Sequence, residues 1–204
     1  MKKGLFITFE GPEGAGKSTQ CRRLAAWLKR RGYSVLLTRE PGGTRIGRQL
    51  RKILLNKDHH EISPAVELFL YEASRAILVS EVILPALKKG RTVIVDRFQD
   101  STWAYQGWAG KMDLKLIDRL GQEALGGLKP QITFLLDLPV RKGLARVRHP
   151  NRFEAKPPAF HEKVRQGYLT LALREKGRIW RIDADRSADE VQEKIQEVMR
   201  RVVR

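Results

Sequence analysis

The sequence predicts an α/β fold in which helices cover both faces of a parallel sheet. Two observations support this prediction. Five short runs rich in apolar and β-branched residues are spread over the 204 residues, and segments with apolar residues at three- and four-residue intervals separate them. No internal repeat or linker divides the sequence, so we expect a single domain over residues 1–204. Strands that alternate with helices form parallel sheets, because each helix carries the chain back to the edge where the next strand begins.

The elements follow one another in a regular order. The predicted strands lie at 5–9, 34–37, 92–95, 132–138 and 178–183. The predicted helices lie at 20–31, 46–55, 64–89, 114–125, 140–148, 160–176 and 188–203. The segment 149–159 contains three prolines and interrupts this pattern between two helices. We interpret it as part of a mobile basic lid at about 146–159, called the lid below.

Composition narrows the classes of function. No apolar run approaches the ~20 residues that cross a bilayer, so we expect no membrane association. The start MKKGLFITFE has the lysines and apolar stretch of a signal peptide, but Glu10 interrupts it, and we interpret it as the first strand. The single cysteine, Cys21, excludes an internal disulfide and favours a reducing cytoplasm.

The formal charge of +17 fits either nucleic-acid binding or small anionic substrates. The basic residues are scattered along the sequence, without a basic tail and with few interleaved aromatic residues. We therefore treat nucleic acid as the weaker interpretation of the charge.

A phosphate-binding loop, called the P-loop below, occupies Gly11–Ser18 with the sequence GPEGAGKS. It matches G-x-x-x-x-G-K-[ST] between a predicted strand and a predicted helix. Glycines let backbone N–H groups converge on phosphate oxygens, and the helix N-terminus adds a positive dipole. Lys17 should reach the β- and γ-phosphates of a nucleoside triphosphate. The residues predicted to hold this nucleotide are Gly11, Pro12, Glu13, Gly14, Ala15, Gly16, Lys17, Ser18 and Thr19.

Two side chains are predicted to hold Mg²⁺ beside the phosphates. The Ser18 hydroxyl is the first, and Asp96, which ends the apolar run TVIVD, is the second. A role for Asp96 as the N-cap of the next helix stays an alternative. Asp137, which ends ITFLLD, is a second candidate for the same metal position.

The P-loop alone leaves GTPases, ATPases and small-molecule kinases open. A GTPase needs Asn-Lys-x-Asp on a later strand, and the near match NKDH at 56–59 lacks the spaced aspartate. The length and the lid favour a compact kinase, with a nucleic-acid-dependent ATPase as the alternative from another class.

Five segments in order resemble the bacterial thymidylate kinase family. They are FEGPEGAGKST at 9–19, TREPGGT at 38–44, LFLYEASR at 68–75, DRFQDSTWAYQG at 96–107 and NRFE at 151–154. The first is widely shared, whereas TREPGGT combined with DR…STxAYQG is much narrower. The resemblance runs from about residue 4 to 184 and weakens beyond.

This resemblance implies a three-layer P-loop kinase fold with five parallel strands in the order 2-3-1-4-5. It implies transfer of the γ-phosphate of ATP to dTMP with Mg²⁺, and a homodimer formed through the long helix at 64–89. The residues that it implies for the acceptor, from phosphate to base to sugar, are Arg97, Arg51, Tyr71, Arg75, Thr102, Tyr105, Glu13 and Glu40.

Physical checks on these roles leave some alternatives open. A guanidinium suits Arg97 because it is always charged and grips phosphate oxygens in pairs. Arg51 could equally be a surface arginine. Tyr71 and Arg75 share one helix face at i,i+4 spacing, but ordinary packing of a tyrosine explains that spacing too.

The lid is implied to supply a cation for catalysis, beside Lys17 and Arg97. Some family members carry an arginine within the P-loop where this sequence has Gly14. The resemblance to the bacterial members implies that the lid supplies the cation instead. Arg146 is expected to contact ATP. Arg148 and Arg152 are the catalytic candidates, and Arg152 is favoured because it occupies the arginine position of the family motif DR[IF]E.

Removal of such an arginine is expected to lower kcat by roughly 10³-fold. Two departures from the family pattern have no explanation in the sequence. Asn151 replaces the usual Asp of the lid motif, and Trp103 stands where Gln or Leu is common.

Overall fold

The computed structural model describes residues 4–202, and within this range five strands form one sheet. The strands are β1 (Phe6–Glu10), β2 (Val35–Arg39), β3 (Thr92–Asp96), β4 (Ile132–Asp137) and β5 (Ile179–Asp183). Their order across the sheet is β2-β3-β1-β4-β5, and every neighbouring pair is parallel. The predicted fold class and the strand order 2-3-1-4-5 are confirmed.

The helices are α1 (Lys17–Arg30), α2 (Arg45–Leu55), α3 (Pro64–Leu78), α4 (Leu84–Lys88), α5 (Gln99–Thr102), α6 (Leu114–Leu125), α7 (Val140–Ala145), α8 (Pro158–Arg174) and α9 (Ala188–Val202). Each of the seven predicted helices overlaps a helix of the structure, whereas α5 was not predicted. The π-helical turn Val79–Ile83 joins α3 to α4, so the helix predicted at 64–89 is one continuous rod with a wider turn inside it. The last position predicted for the final helix, 203, lies outside the described residues.

Helices cover both faces of the sheet, and β1 is buried on both sides. Apolar residues of α1 and α9, such as Leu24 and Ile195, pack on one face with Phe9. The other face is covered by α3, α4, α6 and α8. No helix within residues 4–202 is both long enough and apolar enough to cross a bilayer.

One buried helical segment was not predicted from the sequence. Helix α5 continues into a π-helical stretch, Trp103–Ala109, in which all residues but Trp108 are buried. A segment buried on every side shows no amphipathic period, because there is no solvent face for polar residues to mark.

The parallel arrangement brings the functional segments together. Phe9 on β1 lies in register with Asp96 on β3, so the P-loop and the segment after β3 leave the sheet side by side. In parallel α/β sheets this carboxyl edge is where ligands bind.

Candidate active site

The P-loop packs so closely on its surroundings that two of its glycines have no room for a side chain. A Cβ on Gly11 would lie 2.3 Å from the carbonyl oxygen of Leu136, and one on Gly14 would lie 2.1 Å from that of Gly143. Both glycines also have positive φ angles, 135° and 67°. The loop is therefore fixed against β4 and α7, and it leads directly into α1 at Lys17.

Lys17 lies buried at the bottom of the loop. Its Nζ donates to the carbonyl oxygens of Gly11, at 3.0 Å, and Pro12, at 2.7 Å. Burial lowers the pKa of Lys17 to about 8, and the neighbouring Arg97 lowers it further against the opposing effect of Glu13. A phosphate group beside Lys17 would favour its charged form.

Arg97 follows β3 in a left-handed backbone conformation, with φ of 66°. Its Nη2 donates to Glu13 Oε2 at 2.8 Å, and the other carboxylate oxygen of Glu13 accepts from the Tyr105 hydroxyl at 2.7 Å. Burial opposes ionisation of Glu13, but Arg97 and then Lys17 outweigh it, so the pKa of Glu13 falls to about 2. Glu13 is thus a fixed anion that ties the P-loop to the segment after β3.

Lys17 and Arg97 line the same cavity, which has a volume of about 450 Å³. It is lined by P-loop residues Glu13 to Thr19 and by every residue predicted for the acceptor: Glu40, Arg51, Tyr71, Arg75, Arg97, Thr102 and Tyr105. Two groups that sequence reasoning assigned to different nucleotides therefore open into one space.

The candidate metal ligands are adjacent. The Ser18 hydroxyl donates directly to Asp96 Oδ2 at the mouth of the P-loop. A hydroxyl, a carboxylate and phosphate oxygens form an all-oxygen set, as Mg²⁺ prefers. Within residues 4–202 no group of three or more His, Cys, Asp or Glu side chains could hold a metal without such phosphates.

Asp137, the alternative metal candidate, is occupied by other partners. Arg165 donates to it at 2.6 Å and Arg181 at 2.7 Å. Burial acts to raise the pKa of Asp137, but the hydrogen bonds from Arg165 and Arg181 outweigh it and the pKa is lowered. This carboxylate serves an ion-pair cluster between β4, β5 and α8.

One end of the cavity is built around Arg75, whose side chain is 1% exposed. It donates to Glu40 at 2.8 Å, Glu72 at 2.7 Å and Thr102 at 2.8 Å, and it also bonds Gln99. Burial raises the pKa of Glu40 to about 7, although Arg75 acts in the opposite direction. Glu40 thus supports Arg75 through one carboxylate oxygen.

Arg51 and Tyr71 complete this half of the cavity. Arg51 Nη1 donates to the carbonyl oxygen of Pro41 at 3.0 Å, which holds its guanidinium beside the TREPGGT segment. Tyr71 packs edge to face on Phe153 of the lid, with ring centroids 5.9 Å apart. Burial raises the pKa of the Tyr71 hydroxyl, which therefore stays protonated.

The three lid arginines are placed differently from one another. Arg146 lines the cavity, and its Nη1 donates to the carbonyl oxygen of Gly14 at 3.1 Å. Arg148 and Arg152 do not line the cavity. The Arg152 guanidinium is held by the buried carboxylate of Glu67 at 2.7 Å.

The two departures from the family pattern are explained by the structure. Asn151 Oδ1 accepts from the backbone N–H groups of Phe153 and Glu154, at 2.9 and 3.2 Å, as an Asp oxygen would. Trp103 stacks on Trp108 with ring centroids 5.7 Å apart, and both pack on α8 away from the cavity.

Sequence reasoning missed the carboxyl group that supports Arg97 from behind. Glu10 accepts from the Phe98 N–H at 2.7 Å, from Ser101 at 2.6 Å and from the Tyr168 hydroxyl at 3.0 Å. Burial, followed by repulsion from Asp100, raises the pKa of Glu10 to about 8. An acidic residue at the end of a strand whose other residues, apart from Thr8, are apolar was the available signal.

Three features together define the class of this protein. They are the strand order of P-loop proteins, a hydroxyl–carboxylate pair that could hold a metal, and two cations on separate segments that face one cavity. The chain is a P-loop phosphotransferase. A sequence profile described as Thymidylate kinase matches residues 9–195. The chain belongs to the thymidylate kinase family.

Individual relatives agree with this assignment over nearly the whole length. A thymidylate kinase of Exiguobacterium sp. is 48% identical over 195 residues, which cover 94% of this chain and 92% of the relative. One of Deinococcus radiodurans is 48% identical, with 96% of each chain covered. A crystal structure of thymidylate kinase from Ehrlichia chaffeensis matches with a TM-score of 0.81 and 32% identity, over 97% of this chain and 99% of that one. The resemblance inferred from five segments is confirmed.

Proposed function

We propose that this chain transfers the γ-phosphate of ATP to dTMP, which gives ADP and dTDP. The observation that supports this proposal most directly is the shared cavity of Lys17 and Arg97, with Glu13 between the two cations. The P-loop holds the donor triphosphate, and the segments after β2 and β3 hold the acceptor within one domain.

The reaction needs no general base. A phosphate monoester with a second pKa near 6 is largely a dianion at neutral pH, so its oxygen is already nucleophilic. The obstacle is repulsion between two anions. Lys17 holds the β- and γ-phosphates, Arg97 and Arg51 hold the acceptor phosphate, and Arg146 adds a cation at the P-loop, so that the reacting atoms are aligned and their charge is neutralised.

Ser18 and Asp96 together fit a divalent cation at the phosphates, and we propose Mg²⁺. Such an ion, when bound, neutralises charge on the β- and γ-phosphates. The Ser18–Asp96 hydrogen bond keeps both oxygens at the mouth of the P-loop, ready to act as ligands.

The thymine base is proposed to stack on Tyr71, with Arg75 and Thr102 at its polar edge. Four bonds hold Arg75 rigidly, so it can present one direction of hydrogen bonding to the base. Tyr105 closes against the sugar where a ribonucleotide carries its 2′-hydroxyl, and Glu13 accepts from the 3′-hydroxyl.

A homodimer in the cytoplasm completes the proposal. Val66 and Phe69 on α3, 46% and 57% exposed, leave an apolar face on the helix predicted to mediate dimerisation. Ile46 and Ile53 lie seven residues apart on one side of α2, which packs on α3, and they too are exposed.

An acceptor panel tests the function. ATP consumption is measured with purified protein and dTMP, dUMP, dCMP or single-stranded DNA added separately. We expect dTMP to give the highest kcat/KM, and Lys17→Ala to remove most of this activity because the β- and γ-phosphates lose their cation.

The same panel addresses the alternative suggested by the charge of +17. Stimulation by DNA with no response to any nucleoside monophosphate would replace the kinase proposal with a nucleic-acid-dependent ATPase.

A further inference from the structure

The C-terminal half of the lid is anchored to the acceptor half of the cavity and not to the P-loop. Arg152 makes three bonds there: its backbone N–H donates to the carbonyl oxygen of Leu55 at 3.2 Å, its Nε to that of Leu54 at 2.9 Å, and its Nη2 to Glu67 Oε2 at 2.7 Å. These partners belong to the end of α2 and the first turn of α3. The guanidinium thus donates from Nε and from Nη2 to these two helices.

Glu67 is built to receive this arginine. Its side chain is 8% exposed, and that of Arg152 is 13% exposed. The other carboxylate oxygen of Glu67 accepts from Gln106 at 2.7 Å, so the anion is bonded on both sides. Leaving the Glu67 carboxylate buried without its cation would cost free energy. The two side chains are therefore expected to separate only when the lid opens.

The residue after Arg152 shows what the contact accomplishes. Phe153 is buried and packs edge to face on Tyr71, at 5.9 Å, and on Tyr105, at 6.1 Å. The Arg152 guanidinium carbon lies 4.7 Å from the Phe153 ring centroid. Phe153 therefore forms a wall between the two tyrosines that are proposed to contact the base and the sugar.

We infer that Arg152 and Glu67 form a latch that closes the lid over the acceptor nucleoside, and that Arg152 is a positioning residue for dTMP binding. The latch holds Phe153 in place because Phe153 directly follows Arg152 in the chain. Arg152 itself does not contact the transferred phosphoryl group. The other end of the lid serves the donor, since Arg146 bonds the P-loop. This inference rests on the proposed function for the identity of its ligand.

Steady-state kinetics separate a latch from an arginine finger. For Arg152→Ala we expect the KM for dTMP to rise about tenfold or more, while kcat falls less than tenfold and the KM for ATP stays within about threefold. Arg152→Lys should give an intermediate KM for dTMP. It keeps the charge but cannot make both side-chain bonds, to Leu54 and to Glu67. A loss of kcat near 10³-fold with an unchanged KM for dTMP would overturn the latch in favour of a finger.

Glu67→Gln is the more specific test of the latch, because Glu67 lies in the first turn of α3 and its side chain bonds Arg152 and Gln106. We expect it to raise the KM for dTMP in the same way, and the double variant Arg152→Ala with Glu67→Gln to be no worse than Arg152→Ala alone. An unchanged KM for dTMP in Glu67→Gln would exclude the latch. Lys163→Ala, which removes an exposed cation from the start of α8, is the matched control and should leave all three kinetic parameters unchanged.

Hydrogen exchange of the protein without nucleotides tests the latch independently of the substrate. Amides of residues 151–156 should exchange faster in Arg152→Ala and in Glu67→Gln than in the wild type and in Lys163→Ala. Equal exchange in all four proteins would overturn the latch even if dTMP is the substrate. If the wild type fails to phosphorylate dTMP while the exchange differs as expected, the proposed function fails and the latch stands.

Discussion

At the scale of single residues, the site is a set of buried charges whose state depends on their neighbours. Glu13 is kept ionised by Arg97 and Lys17, which overcome its burial. Glu10 accepts hydrogen bonds from Phe98 and Ser101 in the segment that follows Arg97, yet burial and then Asp100 raise its pKa and favour its protonated form. Two glutamates on either side of Gly11–Pro12 are therefore held in opposite states, one as an anion in the cavity and one as a support behind it.

The protonated state of Glu10 predicts a pH dependence of stability. Its pKa in the folded state, about 8, lies above the ordinary value of 4.5, so the folded state binds this proton more tightly than the unfolded state. The stabilising contribution is fully present below pH 4.5 and is lost as the pH rises through about 8. Glu10→Gln mimics the protonated form and abolishes this titration. The groups that face Glu10 are Arg97, Asp100, Ser101 and Tyr168.

Urea denaturation at about pH 5 and about pH 8 measures this effect. We expect the free energy of unfolding of the wild type, relative to Glu10→Gln, to fall by at least about 1 kcal/mol between the two pH values, since each pKa unit corresponds to about 1.4 kcal/mol. Glu123→Gln on the exposed side of α6 controls for the loss of a carboxylate. An identical pH dependence in wild type and Glu10→Gln would show that Glu10 is ionised throughout.

At the scale of elements, the π-helical stretch Trp103–Ala109 packs closely against α8. Gly167 on α8 faces Trp108, and Trp103 stacks on that ring from the other side. Arg174 lies over Trp103, 5.4 Å from its centroid. The close approach of the two elements sets the position of Tyr105, which belongs to the same π-helical stretch.

Gly167→Ala should therefore destabilise the protein by about 1–3 kcal/mol, the usual cost of overpacking. The added Cβ would lie 2.9 Å from Trp108 Cβ and 3.0 Å from its Cγ, so the indole must move. Urea denaturation followed by tryptophan fluorescence reports both the stability and the displaced ring. Gly177→Ala meets no heavy atom within 4 Å and should change stability little. Equal stability of the two variants would mean that α8 can shift away from Trp108 without cost.

The same elements show what a sequence can reveal. The strands were predictable because each is a short apolar run, and the P-loop because its glycines and lysine are fixed by spacing. The Arg152–Glu67 pair was not predictable, since its members are 85 positions apart and no local pattern marks them as partners. The family motif pointed to Arg152 as functional, but only its contacts distinguish positioning dTMP from meeting a phosphate.

At the scale of the whole molecule, the cavity, the candidate metal ligands Ser18 and Asp96 and the lid all lie at the carboxyl edge of the sheet. The outer faces of α2 and α3 lie outside this site. They carry exposed apolar side chains next to each other, which indicates a contact surface. Leu116 on α6, which also packs on α3, is 38% exposed. A second copy of the chain would remove these side chains from water, as the proposed homodimer requires.

Phe69→Asp should convert this homodimer to a monomer. Phe69 is 57% exposed on α3, and an aspartate there would place two like charges near the two-fold axis and forfeit the apolar contact. Sedimentation velocity at micromolar concentrations should show a dimer for the wild type and a monomer of unchanged helical content for the variant. Leu173→Asp is the matched control, because Leu173 is 69% exposed on α8 and should leave the dimer intact. A dimer that survives Phe69→Asp but is lost in Leu173→Asp would move the interface to α8, and a monomeric wild type would refute the dimer altogether.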